Sequence, residues 1–216
     1  MDQLDLKTIF SAYRDCYITA RHDPKKLNVL SVLDKVNIEA ALRKDSKIAC
    51  AKNCSHCCYL RVVAYPHELV AIHNYIHQSL KPDVKQTTLE RLNHQAKIVE
   101  HMSEQEHFTT NVECPFLVDR QCVIYSVRPI TCAGYHSLSE AACARSYDNP
   151  TDTNGFGIPL SQNIDKARNI QHQLVVGVSR SLESDEMTYE LITSLQKIEN
   201  NPKAIQRWKQ SKKMFR

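Results

Sequence analysis

Residues 50–58 read Cys50-Ala51-Lys52-Asn53-Cys54-Ser55-His56-Cys57-Cys58. The four cysteines in these nine residues stand at spacings that let their sulfurs converge on one point, as a metal ion requires. Cysteine also buries well as a small apolar residue, so scattered single cysteines would indicate little. A cluster of this density predicts a metal or iron–sulfur centre.

Further cysteines downstream extend the candidate site. The predicted metal ligands are Cys50, Cys54, Cys57, Cys58, Cys114, Cys122 and Cys132. Adjacent side chains diverge in most backbone conformations, so we expect Cys57 and Cys58 to serve different sites, or one of them to pack in the core. We also expect Cys54, Cys57 and Cys132 to share one centre.

Four other cysteines and histidines are not among the predicted ligands. The sequence leaves open the role of Cys143, of His56 inside the cluster and of His136 just after Cys132. Cys16 falls on the apolar stripe of a predicted helix, which is typical of a packing residue.

Composition is that of an ordinary globular protein. The 216 residues are 42% hydrophobic and 24% charged, and we expect a single domain over 1–216. Its cysteine core should span 45–145, flanked by helices within 1–44 and 160–216. Only four glycines occur, and none stands in a phosphate loop or a dinucleotide fingerprint.

The sequence predicts a cytoplasmic address. Residues 1–7 lack the basic and apolar regions of a secretion signal, and no apolar run approaches the roughly twenty residues that span a bilayer. An odd cysteine count and the adjacent Cys57 and Cys58 fit a disulfide framework poorly, so the thiols are expected to be reduced.

Positive charge is concentrated at the end of the chain. Residues 203–216 hold six basic residues and no acidic one, within a net charge of +4. No nucleic-acid-binding motif accompanies this charge, so a solvated terminal helix with Trp208 and Phe215 docked on the body is favoured over a nucleic-acid site. A protein partner is left open.

Hydrophobic periodicity predicts a mainly α fold with a small β-hairpin and a cysteine-rich metal-binding centre. Helices are expected over residues 4–20, 27–49, 66–79, 84–107, 161–182, 186–200 and 202–214. Residues 59–65 are β-prone, and two β-prone runs flank Asp119 and Arg120, predicting a hairpin that brings Cys114 near Cys122. A short helix should begin near Pro129 and carry Cys132.

Four blocks of sequence in order resemble one family. They are C-x3-C-x2-C-C over 50–58, Cys114-Pro-Phe-Leu, Cys122-Val-Ile-Tyr and Arg128-Pro129-x-x-Cys132. Over about residues 50–145 the chain resembles the YkgJ-type cysteine-cluster family, whose domain is described as chelating zinc or iron and which includes a flagellin lysine N-methylase. Ala133 stands where many relatives have arginine.

Three kinds of centre are compatible with the spacing. Cys50, Cys54 and Cys57 satisfy the C-x3-C-x2-C pattern of radical S-adenosylmethionine enzymes, but the few strand candidates and glycines argue against the barrel that such enzymes need. A fully ligated iron–sulfur cluster would take three cysteines of the first run and Cys132. Eight cysteines could alternatively form two zinc sites.

The sequence therefore predicts a cytoplasmic metal-binding protein that holds zinc or an iron–sulfur centre through clustered cysteines. The alternative, implied only by the family resemblance, is an S-adenosylmethionine-linked protein lysine methyltransferase or a related cluster-dependent enzyme. No nucleophile–base pair or cofactor loop accompanies it. Arg128 and Glu68 flank the centre in sequence, and we expect Arg128 to be partly buried within reach of a cysteine sulfur or of Glu68.

Overall fold

The computed structural model describes residues 6–51, 53–152 and 157–215. Within these ranges the helices are α1 (Leu6–Ala20), α2 (Pro24–Leu33), α3 (Val36–Leu42), α4 (Pro66–Gln78), α5 (Pro82–Val99), α6 (Glu104–Phe108), α7 (Ile130–Ala133), α8 (Glu140–Asp148), α9 (Gln162–Ser181), α10 (Leu191–Asn200) and α11 (Lys203–Lys209). The strands are β1 (Val63–Ala64), β2 (Leu117–Val118), β3 (Gln121–Cys122) and β4 (Tyr189–Glu190). The predicted mainly α fold is confirmed.

The strands form two small antiparallel sheets. β2 pairs with β3, which confirms the predicted hairpin, and β1 pairs with β4. The second pairing was not predicted, because β4 is too short to leave a periodic signal and its partner lies far away in sequence. Helix α10 was predicted from residue 186 but begins at Leu191, after strand β4. Glu190 caps this helix, because its carboxylate accepts hydrogen bonds from the backbone N–H groups of Ile192 and Thr193.

The prediction of one helix over 27–49 was wrong. The chain forms α2 and α3, separated at Asp34 and Lys35, and both of these charged side chains are buried. The carboxylate of Asp34 accepts hydrogen bonds from Tyr13 and from His67, which packs it inside the protein instead of on a solvated helix face. Since α3 ends at Leu42, Cys50 lies in a loop well beyond the helix.

The prediction of one helix over 84–107 was also wrong, since α5 ends at Val99 and α6 begins at Glu104. Ser103 and Glu106 form a capping box that starts the new helix. The backbone N–H of Ser103 donates to the Glu106 carboxylate at 2.7 Å, and the backbone N–H of Glu106 donates to the Ser103 hydroxyl at 3.2 Å. Such a box satisfies the unpaired N–H groups of a helix start.

A single hydrophobic core connects the helices on both sides of the cysteine-rich segment. Buried side chains of α1, α2, α4, α9, α10 and α11 belong to one cluster. Trp208 of α11 is fully buried and donates through Nε1 to the Tyr17 hydroxyl at 3.2 Å, so the basic terminal segment is docked on the body as predicted. In the described part of the chain, no helix combines the length and the apolar character needed to cross a membrane.

Candidate metal centre

The first cysteine run is folded into tight turns. Asn53 adopts a left-handed conformation with φ 67°, and His56–Tyr59 form a 3₁₀ turn. The backbone N–H of Cys54 donates to Ala51 at 3.1 Å and that of Cys58 to Ser55 at 2.9 Å. These turns fold the run back on itself over residues 53–59.

The β2–β3 hairpin brings the second pair of cysteines to this run. Asp119 and Arg120 both have positive φ, at 48° and 60°, as the tightest hairpin turns require. The backbone N–H of Cys114 donates to the carbonyl of Cys58 at 2.8 Å, which attaches the start of the hairpin to the first run. The sequence prediction that the hairpin places Cys114 near Cys122 agrees with the effect of Cys122, which raises the pKa of the Cys114 thiol.

Cys132 lies in α7, and a buried carboxylate holds that helix in place. Glu68 accepts a hydrogen bond from the backbone N–H of Ile130 at 2.6 Å and another from that of Tyr65 at 2.7 Å. The hydroxyl of Thr131 donates to the carbonyl of Val63 in β1 at 3.0 Å. The start of α4 and strand β1 therefore position the helix that carries Cys132.

Cys57 is central to the gathered thiols. A hydrogen bond with Cys58 and burial together raise the pKa of Cys57. Burial raises the pKa of the Cys114, Cys122 and Cys132 thiols, and the nearby Cys57 raises each of them further. We call these five residues the inner group.

The remaining cysteines of the region form a second set, which we call the outer group: Cys50, Cys54 and Cys143. Burial raises the pKa of both Cys50 and Cys143, and Cys54 and Cys57 raise both further. Ser137 hydrogen-bonds Cys50 through its backbone and Cys143 through its side chain. The outer group thus touches the inner group through Cys57.

Arg128 supplies positive charge to the inner group. Its side chain is 10% exposed, with the guanidinium carbon 3.7 Å from the centre of the Tyr125 ring and Nη2 3.5 Å from Glu39 Oε1. Its charge lowers the pKa of Cys57, Cys122 and Cys132 against the larger effect of burial. The expected burial of Arg128 near the cysteines is therefore seen.

The donor set is suited to a metal. Within the described residues, Nε and Nη2 of Arg128 are buried without a hydrogen-bond partner, and a thiolate would be an acceptor for them. Buried neutral thiols with raised pKa are poor anions by themselves, whereas a bound metal cation deprotonates them. A centre of metal and thiolates would therefore give the guanidinium, which has a 3.5 Å ion pair with Glu39, further acceptors, and it would hold the sulfurs as thiolates.

The spacing of the sulfurs is wider than a single zinc ion requires. Four thiolates at about 2.3 Å from one tetrahedral zinc would lie about 3.8 Å apart. Among the described residues, no three cysteine sulfurs all lie within 4.8 Å of one another, and the group that meets this limit is His73, His77 and Glu199. One zinc ion would need the inner group to contract, whereas a cluster of several irons spans a larger space.

The predicted ligands fall into these two sets, which overlap at Cys57 because it influences thiols of both. Cys57 and Cys132 interact as expected, but the interactions of Cys54 are with Cys50 and Cys143 in the outer group. Cys16 packs beside the core and its thiol donates to the Lys26 carbonyl at 3.8 Å. The assignment of ligands stays a prediction.

The two histidines with open roles have other contacts. The ring of His56 packs at 5.9 Å from that of Tyr147. His136 is buried, which lowers its pKa, and the nearby Arg128 lowers it further. In the part of the chain that is described, neither ring lies in a set of three closely spaced ligand atoms.

Sequence reasoning missed a buried polar network beside the centre. Tyr13 and His67 bind the two oxygens of Asp34, and Lys35 is buried next to it. Burial lowers the pKa of Lys35, and the nearby Arg128 lowers it too, while Asp34 and Glu68 raise it. The one sequence signal was the charged pair Asp34-Lys35 between the apolar residues of α2 and α3.

Comparison with known proteins gives one match. Residues 49–152 match the CxxCxxCC family, described as "Putative zinc- or iron-chelating domain". The matched range includes every cysteine of the chain except Cys16. No curated protein and no solved structure matches the chain at a significant level.

Proposed function

Since residues 49–152 belong to the CxxCxxCC family, we propose that this protein binds one metal centre through its inner group and that an iron–sulfur cluster is the form that fits best. The proposed ligands are Cys57, Cys114, Cys122 and Cys132. Cys58 remains as the hydrogen-bonding neighbour of Cys57.

The convergence of separate chain segments on Cys57 supports this proposal most strongly. Cys114 and Cys122 reach it from the hairpin and Cys132 from α7, over sequence separations that only the tertiary fold closes. Gathering several partly buried thiols beside a guanidinium whose Nε has no hydrogen-bond partner among the described residues would be costly without a ligand. The wide sulfur spacing favours a cluster over one zinc ion.

The role of Arg128 follows from charge. Four thiolates around iron leave excess negative charge in a buried site, and a guanidinium offsets it while donating hydrogen bonds to sulfur. Hydrogen bonds to sulfur and burial both set the reduction potential of an iron–sulfur centre. Arg128 and the burial of Cys114 and Cys132 therefore belong to the chemistry of the site as well as to its stability.

A binding role is favoured over methyl transfer. The cavity that touches Cys57, lined also by Tyr135 and Tyr147, has a volume of about 10 Å³. Such a space holds about one water molecule and is too small for S-adenosylmethionine and a lysine side chain together. The proposed function is accordingly a metal-binding one, structural or redox, without a substrate at the centre.

Anaerobic purification tests the proposal. The protein would be analysed for iron, acid-labile sulfide and zinc, and its visible absorption would be recorded. Iron with sulfide and a brown colour is the expected result. Stoichiometric zinc without iron would overturn the cluster, and protein that folds without either metal would overturn the proposed function.

Cysteine-to-serine variants then test the ligands. Cys114→Ser and Cys132→Ser should lose the metal, and they should lose stability with it, because binding energy at such a site is folding energy. Cys50→Ser is the matched control, since Cys50 is exposed and belongs to the outer group. Equal loss of metal from Cys50→Ser would show that the inner group is not the ligand set.

A further inference from the structure

A second set of metal-ligating side chains lies on helices α4 and α10, apart from the cysteines. Nε2 of His77 is 2.9 Å from Glu199 Oε1 and 3.1 Å from Glu199 Oε2. Nε2 of His73 is 3.4 Å from the same Oε1. All three side chains offer a ligand atom within 4.8 Å of the others.

The two helices hold these atoms in place. His73 and His77 are four residues apart on α4, so they lie on the same face one turn apart. α10 packs against α4 through buried residues that include Ile76 and Ile198. The site is on rigid helices with buried apolar residues beneath it, and its three side chains remain 18% to 36% exposed, which leaves a path for an ion.

The spacing matches a small tetrahedral metal ion. Nitrogen and oxygen ligands at about 2.0–2.1 Å from zinc stand about 3.3 Å apart. The 2.9 Å and 3.4 Å separations from the two histidine Nε2 atoms to Glu199 Oε1 bracket that value. Two histidines four residues apart on a helix, completed by a carboxylate, are also the ligand types of three-ligand zinc sites.

A metal ion suits the way His73 faces Glu199. With the ring proton on Nδ1, the Nε2 lone pair and Glu199 Oε1, 3.4 Å apart, are both acceptors with no proton between them. A cation between them is coordinated by both atoms.

We propose that His73, His77 and Glu199 bind a divalent transition-metal ion such as Zn²⁺, with Nε2 of each histidine and the carboxylate as ligands. Three protein ligands leave a fourth position for water or for a group of a partner molecule. This site is independent of the cysteine centre, because none of its ligands is a thiol. The competing explanation is an ion pair in which protonated histidines share Glu199 without metal.

The test uses the full chain as purified, with its cysteine centre loaded, and with ¹⁵N-labelled histidine. Zn²⁺ is added at neutral pH, and ring nitrogen signals are followed by NMR. The expected result is a saturable change at Nε2 of His73 and His77 with one additional zinc bound per chain. Co²⁺ bound at this site should give an absorption spectrum that lacks the intense sulfur-to-cobalt charge-transfer band of a thiolate site.

Glu199→Gln and His77→Gln are the matched variants, and His94→Ala is the control, since His94 is an exposed histidine on α5. Replacing a ligand should weaken zinc binding at least as much as the 10–100-fold that supporting residues typically contribute. His94→Ala should bind zinc like the parent. Unchanged histidine signals on zinc addition, or equal zinc affinity in Glu199→Gln, would overturn the site and favour the ion pair.

Discussion

Glu68→Gln tests how the fold positions Cys132. The carboxylate of Glu68 is buried and accepts one backbone N–H from Tyr65, at the start of α4, and one from Ile130, at the start of α7. Glutamine has nearly the same shape, but one of its two terminal atoms is a donor. One of the two backbone N–H groups would therefore face an NH₂ group and lose its acceptor.

The magnitude follows from that single lost acceptor. A buried donor without a partner costs about 1–3 kcal/mol, and the remaining hydrogen bond weakens because its acceptor is no longer charged. One effect acts in the opposite direction. Burial raises the pKa of Glu68 because it makes the charged carboxylate less stable than it is in water. The neutral amide of glutamine avoids that cost in folding free energy. We expect a net loss of about 2 kcal/mol in the free energy of unfolding.

Urea unfolding followed by circular dichroism measures this change. With a slope of about 2 kcal/mol per molar, the midpoint should fall by about 1 M. If α7 shifts with Ile130, metal release to a chelator should also accelerate. Glu104→Gln is the control, because the exposed Glu104 carboxylate pairs with Arg61 at 3.0 Å, and an ion pair that water reaches is worth about 0–1 kcal/mol. Equal effects of the two changes would refute the positioning role of Glu68.

Three further predictions concern neighbouring residues. Arg128→Lys keeps the charge but loses the planar guanidinium that stacks on Tyr125 at 3.7 Å, so metal release to a chelator should accelerate; an unchanged rate would contradict this role. Burial lowers the pKa of His67, but Asp34 and Glu68 together raise it above its usual value. A raised pKa stabilises the fold below about pH 6.5, and this effect is lost as pH rises through the raised pKa. In the parent protein the urea midpoint should therefore fall as pH rises above about 6.5, and Asp34→Asn should abolish this fall. Cys16→Ser should retain its metal, which elemental analysis would check.

The sequence was informative where a signal is local. The cysteine run, the hairpin around Asp119 and Arg120, and the start of α4 at Pro66 depend on spacing, turn geometry and the fixed φ of proline. Each of these features appears in the structure close to its predicted position. The burial of Arg128 beside the cysteines was also accessible, since thiolate sites require a compensating cation.

The errors arose where a distant residue decides the local structure. Nothing near Asp34 indicates that a helix should end there. Its carboxylate is bound by Tyr13, twenty-one residues earlier, and by His67, thirty-three residues later. A charged residue between apolar helical positions is ordinarily solvated, and only the tertiary contacts make it buried.

The same reasoning explains why spacing did not determine the ligand groups. Cys54 and Cys57 are three residues apart, yet Cys54 acts on the thiols of Cys50 and Cys143, while Cys57 acts on these and also on the thiols of Cys114, Cys122 and Cys132. Local spacing limits which sulfurs can meet, and the hydrogen bonds of the surrounding segments select among them. The cysteines therefore supply the candidate ligands, Arg128 supplies positive charge beside them, and buried polar residues, above all Glu68, position the segments that carry them.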